Sequence, residues 1–254
     1  MNQPVGLIKH ILDVNVRKLS SAFKINYNPK IIDEFACNTK FISHLNDSIQ
    51  LNKIFKTRKF ESIFQFYVYR NLVYYLIRQK RPKLIIETGV LHGLTTSWIL
   101  QALHDNNYGN LISIDLPRRD WDKHFNNRVF GPGAEGEEEI GEEKPGWIIP
   151  DYLRKNWNLV LGSSEKELKK ICDSQNSLDI FIHDSDHSYQ TMKYECDYIL
   201  SKYANATLVI DDFNVNNYTY EILSKGLYNH ILMEDVNTNQ EIISSTAFLQ
   251  VHNI

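Results

Sequence analysis

The sequence predicts an α/β fold: a doubly wound, mostly parallel seven-stranded sheet preceded by a helical region. Short apolar runs alternate with helical patterns after residue 83, and several runs end in an acidic residue or a glycine turn. Strands that alternate with helices form parallel sheets with right-handed crossovers. Two final apolar runs, joined by a polar turn, predict a closing antiparallel hairpin.

Residues 1–80 are predicted to be helical. The segment Val5–Phe23 is amphipathic, and the pair Asn28-Pro29 marks a break after it. A further helix is predicted over 60–79, because apolar residues recur there every fourth position. We expect this stripe to pack against the sheet, and lining of a substrate pocket by its aromatic residues is the alternative.

Residues 81–254 are predicted to form the ligand-binding sheet domain. Its strands are expected at seven apolar runs, namely 84–86, 110–115, 158–161, 178–183, 206–210, 230–233 and 246–251. Helices are expected after the glycine at 93 and at 165–172, 188–203 and Tyr218–Ser224. The polar turn at 237–239 should join the closing hairpin.

The stretch 118–150 interrupts this alternation and contains six glutamates between residues 135 and 143. A loop of this length inside a compact domain is usually a lid or disordered. We expect a mobile lid at the cofactor edge, with Trp147 and Ile148 as an apolar clasp. An acidic insertion without a role is the alternative for 135–143.

Composition predicts a cytoplasmic protein without membrane association. Hydrophobic residues make up 43% of the chain and charged residues 23%, which is ordinary for a globular domain. Cys37, Cys172 and Cys196 are widely spaced and odd in number, as is typical of reduced thiols. The sequence lacks a signal-peptide pattern, and no run approaches the ~20 apolar residues of a spanning helix.

The net charge of −3 is unevenly distributed. Residues 1–83 hold fifteen Lys and Arg against five Asp and Glu. A basic region can bind RNA, an anionic membrane or an acidic substrate. Because these basic residues are scattered, we interpret them as a solvated helical face and do not expect a nucleic-acid partner.

The first strand leads into a glycine turn. The run 84–86 is followed by Glu87, Gly89 and Gly93, after which the pattern becomes helical. Strand, glycine turn and helix form the place where an open parallel sheet binds a nucleotide-like cofactor. Gly89 is expected to let the turn tighten, and Gly93 to let backbone and ligand approach. The spacing E-x-G-x-x-x-G resembles motif I of the class I S-adenosylmethionine-dependent methyltransferases.

Polar residues follow five predicted strands at the edge where their carboxyl ends meet. They are Glu87, Gly89, Asp115, Ser163, Ser164, His183, Asp184, Asp186, His187, Asp211 and Asp212. The fourth and fifth strands together are followed by four carboxylates, those of Asp184, Asp186, Asp211 and Asp212. These would repel one another, so they imply a cation. Carboxylates suit a hard ion such as Mg²⁺, and the two histidines keep Zn or Fe open. Asp186 or Ser188 could instead cap the next helix.

Four segments, 87–93, 113–117, 182–189 and 210–213, follow one another in a familiar order. They resemble the small-molecule O-methyltransferases related to macrocin and other sugar methyltransferases, and more distantly catechol O-methyltransferase. The cephalosporin-hydroxylase-like proteins share this framework. The resemblance covers about residues 60–254, and the segments D-x-D-H-x-Y and D-D-F are its specific part. It implies a Rossmann-like methyltransferase sheet, S-adenosylmethionine as cofactor and a small hydroxylated substrate.

The resemblance also implies a role for each site residue. The cofactor would be bound by Glu87, Gly89, Gly93, Asp115, Ser164 and Asp184, with Asp115 at the ribose and Ser164 near the adenine. Asp184, Asp211 and Asp212 would hold a divalent cation, expected to be Mg²⁺, that binds the substrate hydroxyl. The Lys base of catechol-type enzymes is absent from 182–189. The sugar-methylating branch has an Asp where Asp186 lies, and His187 is the second choice of base.

The expected function is metal-assisted methyl transfer to a hydroxyl group of a sugar or natural-product-like molecule. Such a reaction needs alignment of donor and acceptor, a more acidic hydroxyl and a base. An RNA-modifying methyltransferase, a binding module without turnover and an oxygenase on the same framework are the alternatives. The acceptor and a possible homo-oligomeric state stay open.

Overall fold

The computed structural model describes residues 5–36, 38–51, 68–117, 144–236 and 242–252. Its helices are α1 (Val5–Phe23), α2 (Pro29–Ala36), α3 (Thr39–Leu51), α4 (Val68–Lys80), α5 (Leu94–Asn106), α6 (Ser164–Asp173), α7 (Tyr189–Lys202) and α8 (Tyr218–Ser224). Its strands are β1 (Leu84–Thr88), β2 (Asn110–Asp115), β3 (Trp157–Leu161), β4 (Ile180–His183), β5 (Thr207–Asp211), β6 (Tyr228–Val236) and β7 (Ile242–Val251). A 3-10 helix, Asp151–Asn156, leads into β3.

Several predicted features lie outside the described residues. They are Cys37, the first part of the helix predicted over 60–79, the turn at 237–239 and residues 118–143 of the predicted lid.

The described strands form one sheet in the order β3-β2-β1-β4-β5-β7-β6. Strands β1 to β5 run parallel, and β7 is antiparallel to both of its neighbours. The predicted doubly wound, mostly parallel sheet with its closing hairpin is therefore confirmed. Because the chain proceeds from β1 outward to β2 and β3 and then returns to β4, the strand order reverses between β1 and β4. Open α/β sheets bind ligands at the carboxyl ends of strands that flank such a reversal.

Apolar layers cover both faces of the sheet. Alternate residues of a strand face opposite sides, and Ile85 and Ile86 accordingly belong to two different apolar clusters. Leu72 and Leu76 of α4 are fully buried in the first cluster, so the predicted apolar stripe packs as expected over its described part. Met192 of α7 is buried in the second cluster.

The N-terminal helices share the first of these cores with the sheet. Helix α1 contacts α4 and β6. The hydroxyl of Tyr75 in α4 lies 3.3 Å from Ser20 Oγ and accepts a hydrogen bond from the N–H of Asn28 at 2.8 Å. Among the described ranges, no helix combines the length and apolarity that crossing a membrane requires.

Candidate active site

The turn between β1 and α5 lies at the strand-order reversal and is built around glycines with positive φ. Gly89 has a φ of +83°, and a Cβ on it would overlap the carbonyl oxygen of Asp184, which follows β4. Gly93 has a φ of +90°, and a Cβ there would lie 2.7 Å from Cα of Gly146 and from the side chain of Ile149. The absence of a Cβ at Gly93 is thus required by the neighbouring backbone and side chain of the protein itself. Cofactor contact by the backbone of Gly89 or Gly93 stays a prediction.

Asp115 ends β2 and holds this turn in place. Its Oδ2 accepts hydrogen bonds from the N–H groups of Val90 (3.1 Å) and Leu91 (2.8 Å), and its Oδ1 accepts one from Leu116 (2.7 Å). Burial raises the pKa of Asp115 to about 6, although these backbone donors oppose the shift. A carboxylate can accept about four hydrogen bonds. Its described contacts are structural and leave about one of these positions free, whereas the prediction places both ribose hydroxyls on Asp115. That contact stays a prediction.

Glu87 is fully buried near the end of β1. Its carboxylate accepts hydrogen bonds from Thr96 Oγ1 (3.0 and 3.1 Å) and Ser113 Oγ (2.6 Å), and Trp157 Nε1 in turn donates to Ser113 Oγ at 2.9 Å. Burial raises the pKa of Glu87 to about 8. These contacts join β1 to β2, β3 and α5, and the predicted contact of Glu87 with the cofactor stays a prediction.

Glu195 of α7 is a fully buried acid that sequence reasoning missed. It lies 2.7 Å from His183 Nδ1 and accepts hydrogen bonds from Thr88 Oγ1 (2.6 Å) and Ser185 Oγ (2.9 Å). Burial alone would raise the pKa of Glu195, but the charge of His183 and these hydrogen bonds lower it overall, with Ser164 as a further donor. Glu195 thus ties β1, β4, α6 and α7 together. Ser164, predicted near the adenine, has this carboxylate as a described partner.

Asp184, His187 and Asp211 converge at the ends of β4 and β5. One potential ligand atom from each lies within 4.8 Å of the others, and this is the one such group found among the described residues. The pairing of His183 with Ile210 in the sheet brings the two aspartates together. Burial raises the pKa of Asp184 well above its usual range, and the charge of Asp211 adds to this effect. The Nε2 atom of His187 is buried and has no hydrogen-bond partner in the described part of the chain.

Asp212, the third predicted metal ligand, lies outside this group of three. Strand β5 ends at Asp211, and Asp212 begins a turn with a φ of +48°. Its Oδ2 is 3.6 Å from Nδ1 of His187. Burial raises the pKa of Asp212 to about 6, and the neighbouring charge of Asp211 contributes. His187, which the sequence suggested as second-choice base, is the third member of the group. Ligation of a cation by Asp212 stays a prediction.

Asp186, the predicted general base, also lies outside the group and interacts with the start of α7. It accepts hydrogen bonds from the N–H (3.2 Å) and Oγ (2.8 Å) of Ser188 and from Thr191 Oγ1 (2.9 Å). Ser188 is the residue that caps this helix. Burial would raise the pKa of Asp186, but these hydrogen bonds lower it below its usual value. The contacts match the helix-cap alternative.

The first turn of α4 contributes two residues that the sequence did not single out. The hydroxyl of Tyr69 and the Nε of Arg70 each lie 3.0 Å from Thr95 Oγ1. Burial raises the pKa of Tyr69 well above its usual value, and the nearby charges of Asp211 and Asp184 add to the shift. The charge of Arg70 lowers the pKa of Asp184 but does not offset burial and Asp211. Helix α4, predicted to pack against the sheet or alternatively to line a substrate pocket, therefore borders the group formed by Asp184, His187 and Asp211.

The described end of the predicted lid packs against the glycine turn. The N–H of Gly146 donates to the carbonyl of Leu91 (2.9 Å), and Trp147 Nε1 donates to His92 Nδ1 (2.9 Å). Ile148, predicted as part of an apolar clasp, is 1% exposed. Trp147 and Ile148 therefore belong to the wall of the turn. The rest of the lid predicted over 118–150, namely 118–143, lies outside the described residues.

Comparison with known proteins gives one family and a shared fold. A family model described as a methyltransferase domain matches residues 86–213, which include every site residue discussed above except Tyr69 and Arg70. An O-methyltransferase from Bacillus cereus in complex with SAH has a TM-score of 0.55 at 14% identity, with 83% of this chain and 91% of that chain covered. A candidate O-methyltransferase from Klebsiella pneumoniae has a TM-score of 0.54 at 12% identity, with 94% and 96% covered. No curated protein matches the sequence.

Proposed function

The chain belongs to the methyltransferase-domain family, and we propose that it transfers a methyl group to a hydroxyl group of a small molecule with the help of a divalent cation. As a member of this class I family, it is an S-adenosylmethionine-dependent methyltransferase. The proposal that a cation assists transfer to a hydroxyl group depends on one observation: Asp184, His187 and Asp211 converge beside the glycine turn.

The glycine turn supports the cofactor assignment because it lies where the strand order reverses. S-adenosylmethionine supplies a methyl group that is already activated on a sulfonium. The chain's own residues have to hold donor and acceptor in line, which can account for much of the rate enhancement. Gly89 touches the backbone of Asp184 so closely that no Cβ fits between them. The glycine turn, where the cofactor would bind, is therefore adjacent to the acidic group, where the acceptor hydroxyl would bind. Direct methyl transfer from cofactor to acceptor requires this proximity.

The acidic group fits a cation for two reasons. Asp184 and Asp211 are close enough for the charge of Asp211 to raise the pKa of Asp184, in addition to the effect of burial. The buried Nε2 of His187 lacks a hydrogen-bond partner in the described residues, although buried polar atoms almost always have one. A bound divalent cation would make a coordinated hydroxyl more acidic and thereby assist its methylation. Asp184, His187 and Asp211 would hold it.

We assign Asp186 a structural role in place of the predicted general base. A base works best when its pKa is near the working pH, whereas hydrogen bonds from Ser188 and Thr191 lower the pKa of Asp186 below its usual value. A kinetic comparison separates the two roles. Loss of a general base lowers the rate by roughly 10²–10⁴. Asp186→Asn should instead keep the rate within about tenfold and cost about 1 kcal/mol of stability, as loss of a helix cap does.

A small acceptor is better supported than RNA. The excess of basic residues in 1–83 is the observation that favours RNA. Two of these cations are paired with acidic residues: Arg17 lies 2.7 Å from Asp13, and Arg78 lies 2.8 Å from Glu34. Binding of an RNA oligonucleotide that weakens steeply with salt would favour the RNA alternative.

Two measurements test the proposal. Calorimetry should show binding of S-adenosylhomocysteine to the full chain, and EDTA should stop methyl transfer to small hydroxylated acceptors without abolishing this binding. Asp211→Asn should lower activity at limiting metal, whereas Asp173→Asn, exposed on α6, serves as the matched control. A folded chain that does not bind S-adenosylhomocysteine would contradict the cofactor assignment. Full activity in EDTA would contradict the role of the cation and leave the cofactor assignment intact.

A further inference from the structure

We propose that the cation site contains a nitrogen ligand: the imidazole of His187 binds the ion together with Asp184 and Asp211, while Asp212 orients the imidazole and does not bind the ion. This inference rests on the proposed function for the presence of a cation. It changes the ligand set expected from the sequence, which consisted of three aspartates.

The first support is the composition of the group. Asp184, His187 and Asp211 each bring one ligand atom within 4.8 Å of the others. Such spacing lets three atoms share one ion, since metal–oxygen and metal–nitrogen distances are about 2.0–2.6 Å. Asp212 is adjacent in sequence to Asp211 but does not complete this set.

The second support is the environment of the His187 ring. Its Nδ1 lies 3.6 Å from Oδ2 of Asp212, and its Nε2 is buried without a described hydrogen-bond partner. A metal-binding histidine generally directs one ring nitrogen to a carboxylate or carbonyl and the other to the ion. The interaction of Nδ1 with Asp212 would favour the tautomer whose Nε2 lone pair is available.

A second histidine shows the same pattern beside the first. His183 is fully buried, its Nδ1 lies 2.7 Å from Glu195, and its Nε2 also lacks a described partner. The His183 and His187 rings meet edge to face, with centroids 5.6 Å apart. His183 is outside the group of three, and we give it no ligand role. Two of the four buried atoms without a described partner thus belong to rings that touch each other, which makes this region the place where such atoms concentrate.

The ligand set determines which ion is favoured. Two carboxylates alone suit Mg²⁺, whereas an imidazole favours first-row transition ions, whose affinities for mixed N and O sites rise from Mn²⁺ through Fe²⁺ and Co²⁺. We therefore infer that this site prefers such an ion to Mg²⁺. Mn²⁺ is the most useful probe because its paramagnetism reports directly on a bound nitrogen.

The experiment is a Mn²⁺ titration of the full chain followed by electron paramagnetic resonance. We expect one bound Mn²⁺ with a ¹⁴N coupling from one imidazole, and displacement only by a large excess of Mg²⁺. His187→Gln should remove the coupling and weaken Mn²⁺ binding. Asp212→Asn should keep the coupling and weaken binding by about 10–100-fold, the usual effect of losing the partner of a metal-binding histidine. His230→Gln, exposed on β6, is the matched control and should change nothing.

Several outcomes would overturn the inference. Mn²⁺ bound to the unaltered chain without a ¹⁴N coupling would exclude a histidine ligand, and this measurement needs no variant. A coupling that survives His187→Gln would assign it to another histidine. Complete loss of Mn²⁺ binding in Asp212→Asn would make Asp212 a ligand. If no Mn²⁺ binds at all, the site is not a cation site. Calorimetry with S-adenosylhomocysteine on the same samples then shows whether the cofactor assignment survives.

Discussion

The two sides of the sheet's carboxyl edge differ in how completely the protein satisfies its own polar groups. On the β1–β2 side, Asp115 accepts three backbone hydrogen bonds, and Glu87 accepts hydrogen bonds from two hydroxyls. On the β4–β5 side, Asp211 accepts a hydrogen bond from Thr246 Oγ1 at 2.9 Å, but its charge disfavours ionisation of the buried Asp184, and the Nε2 of His187 has no described partner.

This difference separates positioning residues from binding residues. A buried polar atom without a partner costs about 1–3 kcal/mol, and a bound ligand can offset that cost. Titratable groups with shifted pKa values occur on both sides, at Glu87 and Asp115 as well as at Asp184. A shifted pKa alone therefore does not identify the binding side. Buried atoms without a partner also occur away from the site, at His104 Nδ1 and Gln250 Oε1. What distinguishes the β4–β5 side is that such an atom, His187 Nε2, lies together with the carboxylates of Asp184 and Asp211.

The largest expected effect comes from the backbone contact that joins the two sides. Gly89→Ala would force a Cβ into the carbonyl oxygen of Asp184, and no flexible side chain can move aside. We expect it to cost at least about 4 kcal/mol or to prevent folding, which is exceptional for one substitution. Gly226 also has a positive φ, +67°, but open space around it. Gly226→Ala should cost only about 1–2 kcal/mol. Urea unfolding measures the loss of unfolding free energy in both variants. Equal losses would contradict the close contact of Gly89 with the carbonyl of Asp184.

The next effect concerns a fully satisfied buried acid. Glu195→Gln keeps the shape of the side chain but removes the charge that His183, Thr88 and Ser185 contact. We expect a loss of about 2–3 kcal/mol in the free energy of unfolding, the cost of leaving buried hydrogen-bonding groups poorly paired. Glu165→Gln, at an exposed position of α6, should stay within about 0.5 kcal/mol. A Glu195 variant as stable as the Glu165 control would show that this buried network does not stabilise the fold.

Sequence reasoning located the edge but not this distinction. Parallel strands end at one edge, so Gly89, Asp184 and Asp211 could be placed together from strand order alone. The neighbours of Gly93 and the contact of Asp115 with Val90 and Leu91 depend on how the turn folds back on itself, which no periodicity encodes.

Other site residues depend on tertiary packing. Arg70 approaches the acidic group because α4 packs on α5, and the φ of +48° at Asp212 is a property of one turn. Glu195 left a signal that could have been used: an acid located on the apolar stripe formed by Met192 and Ile199. A charged residue on a buried helix face requires partners, so its position alone indicates a polar network.

A pH dependence tests the satisfied side further. Burial raises the pKa of Glu87 from 4.5 to about 8. The folded state then holds a proton that the unfolded state has lost, so this contribution to stability is complete below the unfolded pKa and decreases as pH rises towards 8. We expect Glu87→Gln to reduce the decrease in unfolding free energy between pH 5 and pH 8 by at least about 1 kcal/mol, since one pKa unit corresponds to 1.36 kcal/mol. Identical pH profiles would mean that Glu87 titrates normally.

The smallest effect should have the opposite sign, and it addresses the comparison most directly. In the metal-free chain, Asp184→Asn removes a buried carboxyl whose ionisation is opposed by burial and by Asp211, while the backbone contact with Gly89 is preserved. We expect this substitution to increase the free energy of unfolding in EDTA by up to about 1 kcal/mol. The gain should grow with pH, because only in the unaltered chain does a buried carboxyl at position 184 have to ionise as pH rises. Asp115→Asn, on the satisfied side, should instead lose stability, since an amide nitrogen would face N–H donors. Adding Mn²⁺ should then stabilise the unaltered chain and not the Asp184 variant. If both aspartate variants lose stability in EDTA, the two sides are equally structural, and the acidic group is not a binding site.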